Sequence, residues 1–210
     1  MLNHTRQQGF NVIELMVTLF VGAIVLSVGV PAFSNFAANN RLATASNDIA
    51  TTLHLARTEA VKRRAAVSVC PSNNWDSNNP SCGGNDFTNG WIVFVDALAP
   101  ALPDLAHNGA ADVLLAHGPL NDKVTLGVAD AANPIGNGGF VSFGTNGFPI
   151  ANIGGNRGVF NFQLCDDRGD KDVGGGIAAG RWIQIAPTGR PQVYRQQTQV
   201  QSGANPTNGC

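Results

Sequence analysis

A single carboxylate, Glu14, stands inside an apolar run that begins at Phe10 and ends at Phe33. No other ionisable residue occurs between these two phenylalanines. An α-helix of roughly 20 apolar residues crosses the hydrocarbon core of a bilayer, and a lone carboxylate inside it costs about 3 kcal/mol. The run offers Glu14 no partner. The chemistry expected of this residue is therefore an ion pair with a cation from outside the segment.

Two ordinary kinds of N-terminal segment fit this run incompletely. A secretory signal has a shorter apolar core followed by a small-residue cleavage site, and Val30–Phe33 makes a poor site of that kind. A plain signal anchor accounts for the length, and Arg6 before the run places the N-terminus in the cytoplasm. Such an anchor leaves Glu14 unexplained.

The segment Gln8–Leu15 accounts for the carboxylate, because it resembles the type III signal of type IV pilins and type II secretion pseudopilins. The resemblance implies that a prepilin peptidase removes residues 1–9 by cutting between Gly9 and Phe10, and that it N-methylates Phe10. It also implies that Glu14 pairs with the N-terminal ammonium of another subunit in a growing filament. A charge unpaired within one chain thus gains its partner between chains, as a carboxylate in a membrane requires.

Two further residues bear on the same resemblance. Asn11 stands where the family usually has threonine, so a small polar residue is kept. Pro31 matches the proline that bends the family's N-terminal helix, because proline removes one backbone hydrogen bond and clashes with the preceding turn. We therefore expect residues 10–33 to form a transmembrane and polymerisation helix, with Glu14 and Pro31 as its assembly residues.

Composition limits the nature of the chain beyond this segment. The chain has 210 residues, which leaves room for one ordinary domain. Its formal net charge is −1 and 13% of its residues are charged, so no overall field attracts nucleic acid. With 25 glycines and many Asn and Ser residues, the sequence predicts a β-rich body with tight turns.

All four cysteines, Cys70, Cys82, Cys165 and Cys210, lie beyond the apolar run. With the N-terminus in the cytoplasm they lie in the periplasm or outside the cell, where disulfides persist. Of the three possible pairings, we expect Cys70–Cys82 and Cys165–Cys210, because each loop then closes locally. A zinc site is the alternative, but the sequence lacks the Cys-x-x-Cys or Cys/His spacing of such sites.

Hydrophobic periodicity predicts the elements of the body. Apolar residues recur at spacings of three and four from Leu42 to Ala60, which indicates an amphipathic helix over residues 34–64. Glu59 and Arg63 form an i, i+4 pair on its exposed side. A helix followed by short strands indicates an α+β fold. The predicted strands are Ala65–Cys70, Trp91–Val95, Val113–Ala116, Val124–Val128, Phe140–Phe143, Val159–Leu164, Trp182–Ala186 and Gln192–Arg195.

The body resembles the globular domain of the GspH/FimT group of minor pilins and pseudopilins. The resemblance lies in Val69–Ser72, Asn89–Asp96 and Ile183–Arg190. With Cys165 before the last of these segments and Cys210 at the terminus, the chain looks most like the FimU and FimT minor pilins of type IV pili. The resemblance implies a type IV pilin-like fold, in which a long N-terminal helix packs on an antiparallel β-sheet body.

Catalysis and metal binding find little support. The four histidines lack metal-ligand spacing and accompany no nucleophile motif, so we expect neither an enzyme nor a need for a cofactor or a metal. The acidic run Asp166–Asp172 alternates carboxylates as a calcium loop does, but it lacks the later glutamate of an EF-hand. We expect a solvated turn between two strands. We interpret its tripeptide Arg168-Gly169-Asp170 as a chance occurrence.

The tail over residues 173–210 contains no acidic residue but keeps Arg181, Arg190 and Arg195. Such a local excess of cations is what binding to a nucleic-acid backbone needs. FimT pilins that bind DNA carry a Gly-Arg-x-Arg motif in this region, and Gly189-Arg190 keeps its first arginine but not its second. The three arginines are therefore candidate DNA-binding residues. The alternative is a strand edge protected by charge from pairing with other chains.

Together these features predict a minor pilin that assembles into or primes a type IV pilus after its leader is cut. A type II secretion pseudopilin and a DNA-binding pilin for natural transformation remain alternatives. The expected partners are other major and minor pilins, the prepilin peptidase, the inner membrane and, for the last alternative, DNA. We expect one span of the inner membrane, a periplasmic body over residues 65–210, and exposure at the cell surface in the assembled pilus.

Overall fold

The computed structural model describes residues 11–83, 86–98, 102–106, 109–129 and 139–210. The chain forms two compact units, residues 1–40 and residues 41–210. The expected cleavage between Gly9 and Phe10 and the methylation of Phe10 lie outside the described residues.

The first helix, α1, extends from Val12 to Arg63, as the apolar run and the periodicity behind it predict. Residues 12–40 of this helix belong to the first unit. Nearly all of their side chains are exposed. Exposure reaches 74% at Val12 and 71% at Phe33. Pro31 lies within the helix, and the bend expected there stays a prediction.

Residues 41–63 of α1 belong to the second unit, where the helix buries one apolar face. A helix is held by packing of such a face more than by intrinsic propensity. Arg64 comes directly after the helix with a φ of 53°, a backbone conformation that Gly or Asn usually supplies at this place. The buried residues are those that the spacing predicts: Leu42, Ala45, Ile49, Leu53, Ala56 and Ala60.

Four antiparallel strands form sheet A, in the order β3-β2-β1-β5. All seven residues of β1 are buried. The strand is covered on both faces, because Val67 and Val69 pack in the core that contains α1 while Cys70 packs in a second cluster with Ile92 and Phe94. The strands are β1 (Ala65–Pro71), β2 (Trp91–Leu98), β3 (Val113–His117) and β5 (Val141–Phe143).

Sheet B is also antiparallel and has the order β10-β9-β8-β4. Its strands are β4 (Thr125–Ala129), β8 (Asn161–Cys165), β9 (Ile177–Ile185) and β10 (Pro191–Gln196). A short hairpin of β6 (Asn152–Ile153) and β7 (Asn156–Arg157) precedes β8, and a four-residue helix, α2 (Gln197–Val200), comes after β10.

The main core lies where the buried face of α1 meets both sheets. Side chains of sheet A and of sheet B join that face in one cluster. This arrangement confirms the predicted α+β fold, in which a long helix packs on antiparallel sheets. The largest fully buried members of the cluster, besides those of α1, are Trp91, Phe143, Phe162, Leu164 and Ile183 in the strands and Phe87 in the turn before β2.

Strand β9 begins five residues earlier than the sequence predicts. β9 starts at Ile177 rather than at Trp182. The residues from Ile177 to Gly180 give little strand signal, because alanine and glycine are poor strand formers. Their tertiary contacts decide instead, since Gln196 of β10 pairs with Ile177 and Val200 of α2 packs with Ala178.

The hairpin β6–β7 is absent from the sequence-based prediction. Gly154 and Gly155 join its strands, with φ angles of 55° and 84°. A two-residue turn with both φ angles positive is the connection that tight hairpins prefer. The pair Gly154-Gly155 was the feature of the sequence from which this hairpin could have been predicted.

Candidate functional site

Glu14 lies in the first turn of α1 and is exposed. Among the described residues, none pairs with its carboxylate. The N-terminal end of a helix dipole favours a carboxylate by about 0.3–1 kcal/mol, which is less than the cost of burying the charge in a bilayer. α1 is long and apolar enough to cross a membrane. The helix dipole alone therefore does not offset the cost of burying the Glu14 charge in a bilayer.

The cysteines form the two expected disulfides, Cys70–Cys82 and Cys165–Cys210. Their Cα atoms are 5.5 Å and 5.7 Å apart, respectively. The first bond closes a short loop behind β1. The second joins residues separated by 45 positions and ties Cys210 to the end of β8. It thereby holds the residues after β10 against sheet B.

The C-terminal segment, residues 197–210, covers the face of sheet B that points away from α1. Gln163 of β8 lies on this face and is 2% exposed. Its Oε1 accepts hydrogen bonds from Nδ2 of Asn205 at 3.0 Å and from Oγ1 of Thr207 at 3.1 Å. Its Nε2 lies 3.3 Å from Sγ of Cys210. The amide is therefore satisfied entirely by the segment that covers it.

Val200 of the same segment packs against an aromatic pair formed by β9 and β10. Trp182 stacks on Tyr194 of β10 with ring centroids 4.4 Å apart. Its indole Nε1 donates to Oδ1 of Asn161 at 3.1 Å, and Val200 packs against it. Because Trp182 is only 4% exposed, it offers no open ring for stacking on a base.

Arg181 corrects the DNA-binding hypothesis. The residue is 2% exposed, and its Nη1 donates to the carbonyl oxygens of residues 178–180 at 2.6, 2.7 and 2.9 Å. Burial lowers its pKa to about 10, with the positive charges of Arg195 and Arg168 adding to the effect. The side chain thus stays charged at neutral pH but is held inside the body. A guanidinium in this position cannot reach a phosphate.

Arg190 and Arg195 are exposed but lie at opposite ends of β10. Arg190 belongs to the turn between β9 and β10, where its carbonyl accepts a hydrogen bond from the backbone N–H of Ala186. At about 3.3 Å per residue, the strand places Arg195 about 16 Å from Arg190. The structure therefore does not bring the three candidate arginines into one patch.

Arg57, which sequence reasoning missed, connects α1 to a turn at the end of each sheet. Its Nε donates to the carbonyl of Gly147 at 3.1 Å, and its Nη2 donates to that of Thr188 at 3.2 Å. The two turns touch, since a Cβ at Gly189 would overlap the carbonyl oxygen of Gly147. One guanidinium on the helix therefore fixes the turn that carries Arg190.

The acidic run Asp166–Asp172 connects β8 to β9, as expected, but it is not fully solvated. The side chain of Asp166 is 1% exposed and pairs with Nη2 of Arg168 at 2.6 Å. Oδ2 of Asp170 accepts a hydrogen bond from the backbone N–H of Cys210 at 2.6 Å. Both charged ends of the Arg168–Asp170 tripeptide are thus engaged within the body. In the part of the chain that the structure describes, no three His, Cys, Asp or Glu side chains are grouped as metal ligands are.

The chain matches a family model and is similar to solved structures. The model of the family described as Type II transport protein GspH matches residues 45–189. The comparison with curated protein sequences returns no significant match. The crystal structure of the type IV minor pilin FimU of Pseudomonas aeruginosa in space group P21 is 22% identical, with a TM-score of 0.48, covering 76% of this chain and 92% of that chain. The same pilin in space group P65 is 20% identical, with a TM-score of 0.44 and coverage of 73% and 92%.

The family match extends from the buried face of α1 through sheet A and three of the four strands of sheet B, and it ends in the turn between β9 and β10. It spans more than half of the chain and includes the elements that build the main core. Members of this family are structural subunits of the pilin and pseudopilin type and are not known as enzymes. The chain belongs to the GspH family of pilins and pseudopilins.

Proposed function

We propose that the protein is a minor pilin that assembles into, or primes, a type IV pilus after a prepilin peptidase has cut its leader. The observation that carries the proposal is the apolar, exposed part of α1, in which no described residue pairs with Glu14, on a chain of the GspH family. Apolar surface of this extent needs a bilayer or other helices to cover it. The Cys165–Cys210 bond supports the pilus over other systems, because this arrangement resembles the FimU and FimT minor pilins.

Assembly would proceed in two steps. Cleavage between Gly9 and Phe10 frees an ammonium group at Phe10, which the peptidase then methylates. The helix leaves the inner membrane and packs among the helices of other pilins, where Glu14 pairs with the terminal ammonium of a neighbour. Packing between helices and the new ion pair together offset the loss of lipid contacts. The body lies in the periplasm and becomes exposed at the cell surface with the pilus.

Leader processing tests the first step. Gly9→Ala should leave residues 1–9 attached, and mass spectrometry of the membrane fraction reads this directly. The control is Gly22→Ala, which lies in α1 at a position where a Cβ meets nothing within 4 Å, and should mature normally. Detection of a mature N-terminus at Phe10 in the Gly9→Ala protein would contradict the proposal.

The charge at position 14 tests the second step. Glu14→Gln should insert into the membrane and lose its leader, because neither requires the carboxylate. It should then fail to appear in sheared pili, since the neighbour's ammonium has no counter-charge. Thr18→Val, one turn further along the helix, is the matched control. Wild-type amounts of Glu14→Gln in pili contradict the ion-pair mechanism.

The first alternative is a type II secretion pseudopilin, which uses the same assembly chemistry to drive protein export. The leader and Glu14 cannot separate the two systems. Deletion of the protein distinguishes them: loss of twitching with normal secretion supports the pilus, and loss of secretion with normal twitching supports export.

The second alternative is a pilin that binds DNA during natural transformation. Its support in the sequence is the basic tail, but Arg181 is buried and the other two arginines are about 16 Å apart. Titration of the full chain in detergent micelles with duplex DNA at low salt tests whether any DNA binding exists. The absence of binding rejects this alternative without touching the assembly proposal.

A further inference from the structure

His117 is the last residue of β3 and lies where that strand meets both β2 and α1. β3 is an edge strand of sheet A, so β2 is its only neighbour in the sheet. The imidazole of His117 stacks on the indole of Trp91, the residue opposite it in β2, with ring centroids 3.9 Å apart and 4° between the rings. Trp91 is fully buried, and its Nε1 donates a hydrogen bond to Oγ1 of Thr52 in α1 at 3.1 Å. The stacked pair therefore links the edge of sheet A to the helix.

A hydrogen bond decides which nitrogen of the neutral His117 ring carries the proton. Nδ1 lies 2.7 Å from the carbonyl oxygen of Gly118. Because a carbonyl oxygen can only accept, Nδ1 has to be the donor. The other nitrogen, Nε2, therefore presents a lone pair whenever the ring is neutral.

This second nitrogen of His117 faces a carboxylate of α1. Nε2 lies 3.6 Å from Oδ2 of Asp48, and the two side chains are 29% and 35% exposed. A lone pair and a carboxylate oxygen do not attract each other, whereas a proton on Nε2 turns the contact into an ion pair. A positive imidazolium on the face of Trp91 also gains a cation–π attraction. Both contacts of the ring thus strengthen when it takes up a proton.

The surroundings of His117 and Asp48 provide no second ion-pair partner for either side chain among the described residues. β2 contributes Trp91, and the segment after β1 contributes Trp75, which packs beside Gly118. Neither indole carries a charge. One turn away from Asp48 in either direction, α1 carries only threonine and alanine. A change in the charge of His117 therefore acts mainly through Asp48.

We propose that His117 and Asp48 form a pH-sensitive link between β3 and α1. The link forms when Nε2 of His117 takes up a proton, and it is lost when the proton leaves. Histidine changes its charge between about pH 5 and about pH 8. The end of β3 is therefore held more tightly to the helix in a mildly acidic medium than in an alkaline one. The link depends on residues of the body and does not rest on the proposed function.

A double-mutant cycle at two pH values tests the link. Urea unfolding of the full chain in detergent micelles is measured for the wild type, His117→Gln, Asp48→Asn and the double variant at about pH 5 and at about pH 8. At the lower pH the pair should change the unfolding equilibrium constant by about two- to fivefold beyond what the single substitutions predict, as expected for a partly exposed ion pair. At the higher pH this coupling should vanish. Salt should reduce the coupling at the lower pH, because it screens exposed charges.

His54→Gln is the matched control, since His54 is exposed on the same helix and forms no ion pair with a described residue. Combined with Asp48→Asn, it should show no coupling at either pH. If His117→Gln does not fold, the comparison of Asp48→Asn with the wild type keeps the test, because removing the carboxylate should cost more stability at the lower pH.

Two results would overturn the proposal. A coupling between His117 and Asp48 of equal size at both pH values would show that the contact does not depend on the proton. The absence of coupling at the lower pH would show that the two side chains do not interact. In the comparison of the single variant, an effect of Asp48→Asn that is the same at both pH values has the same consequence.

Discussion

Nδ2 of Asn205 donates a hydrogen bond to Oε1 of Gln163 over 3.0 Å, although the two residues are 42 positions apart. Both are buried, at 0% and 2% exposure. The same Nδ2 donates to the carbonyl of Val200 at 2.6 Å. The bond fixes the middle of the C-terminal segment to sheet B, between α2 at one end and the Cys165–Cys210 disulfide at the other.

Asn205→Ala should lower the free energy of unfolding by about 1–3 kcal/mol, the range expected when a buried hydrogen-bond partner is removed. Urea unfolding of the full chain in micelles measures the change. Gln201→Ala, an exposed residue of the same segment, should stay within about 0.5 kcal/mol of the wild type. Equal effects of the two substitutions would contradict a specific role for Asn205.

The two disulfides should contribute unequally to stability. The chain-entropy model gives about 4 kcal/mol for the bond that spans 45 residues and about 3 kcal/mol for the one that spans 12. The double substitution Cys165→Ala/Cys210→Ala should therefore lower the urea midpoint more than Cys70→Ala/Cys82→Ala. The reverse order would show that local packing around Cys70, rather than loop length, decides the difference.

Asp96 is a buried carboxylate that holds a loop to sheet A. It is 6% exposed, accepts a hydrogen bond from Oγ of Ser68 at 2.5 Å, and accepts two more from the backbone N–H groups of Asp104 and Leu105 at 2.9 and 3.0 Å. Burial raises its pKa above the ordinary aspartate value, and these hydrogen bonds only partly offset that effect.

The raised pKa predicts the sign of a pH effect. The contribution of Asp96 to stability is fully present below the ordinary aspartate pKa and is lost as pH rises through the higher pKa of the folded state. Asparagine cannot ionise, keeps an acceptor for the two N–H groups and can donate to Ser68. The stability of Asp96→Asn relative to wild type should therefore increase with pH over this range, as urea unfolding at several pH values would show. For Asp122→Asn, an exposed control, a flat difference is expected; a difference for Asp96→Asn that shrinks with rising pH would overturn the assignment.

Arg57→Ala should destabilise the body by about 2 kcal/mol, because it removes hydrogen bonds from a charged group to the carbonyls of Gly147 and Thr188. Arg57→Lys should lose less, since an ammonium can keep one of the two bonds. Thermal unfolding of the variants gives the comparison. Arg157→Ala removes an exposed arginine elsewhere and should change little. If Arg57→Ala is as stable as Arg157→Ala, the hydrogen bonds of Arg57 to the two turns do not contribute to stability.

Local pattern was enough to predict most of the fold. The spacing from Leu42 to Ala60 identified the buried face of α1, since a helix repeats its face every three or four residues whatever it packs on. Strand β1 was predicted within a single residue at its end, because its apolar residues are consecutive and a proline comes next. The disulfide pairing was predicted correctly from the expectation that each cysteine bonds to its neighbour along the chain. The prediction missed the first part of β9, which consists largely of alanine and glycine, because tertiary packing forms that part of the strand.

The sequence by itself determined the apolar segment with its single carboxylate, the helix behind it and the alternation of short strands. It could not determine which charges face solvent or share a surface. Arg181 is buried, Arg190 and Arg195 lie at opposite ends of one strand, and Arg57 contacts residues 90 and 131 positions away. Local periodicity acts over a few residues, whereas the burial and grouping of charges depend on chain crossings that only the tertiary structure sets.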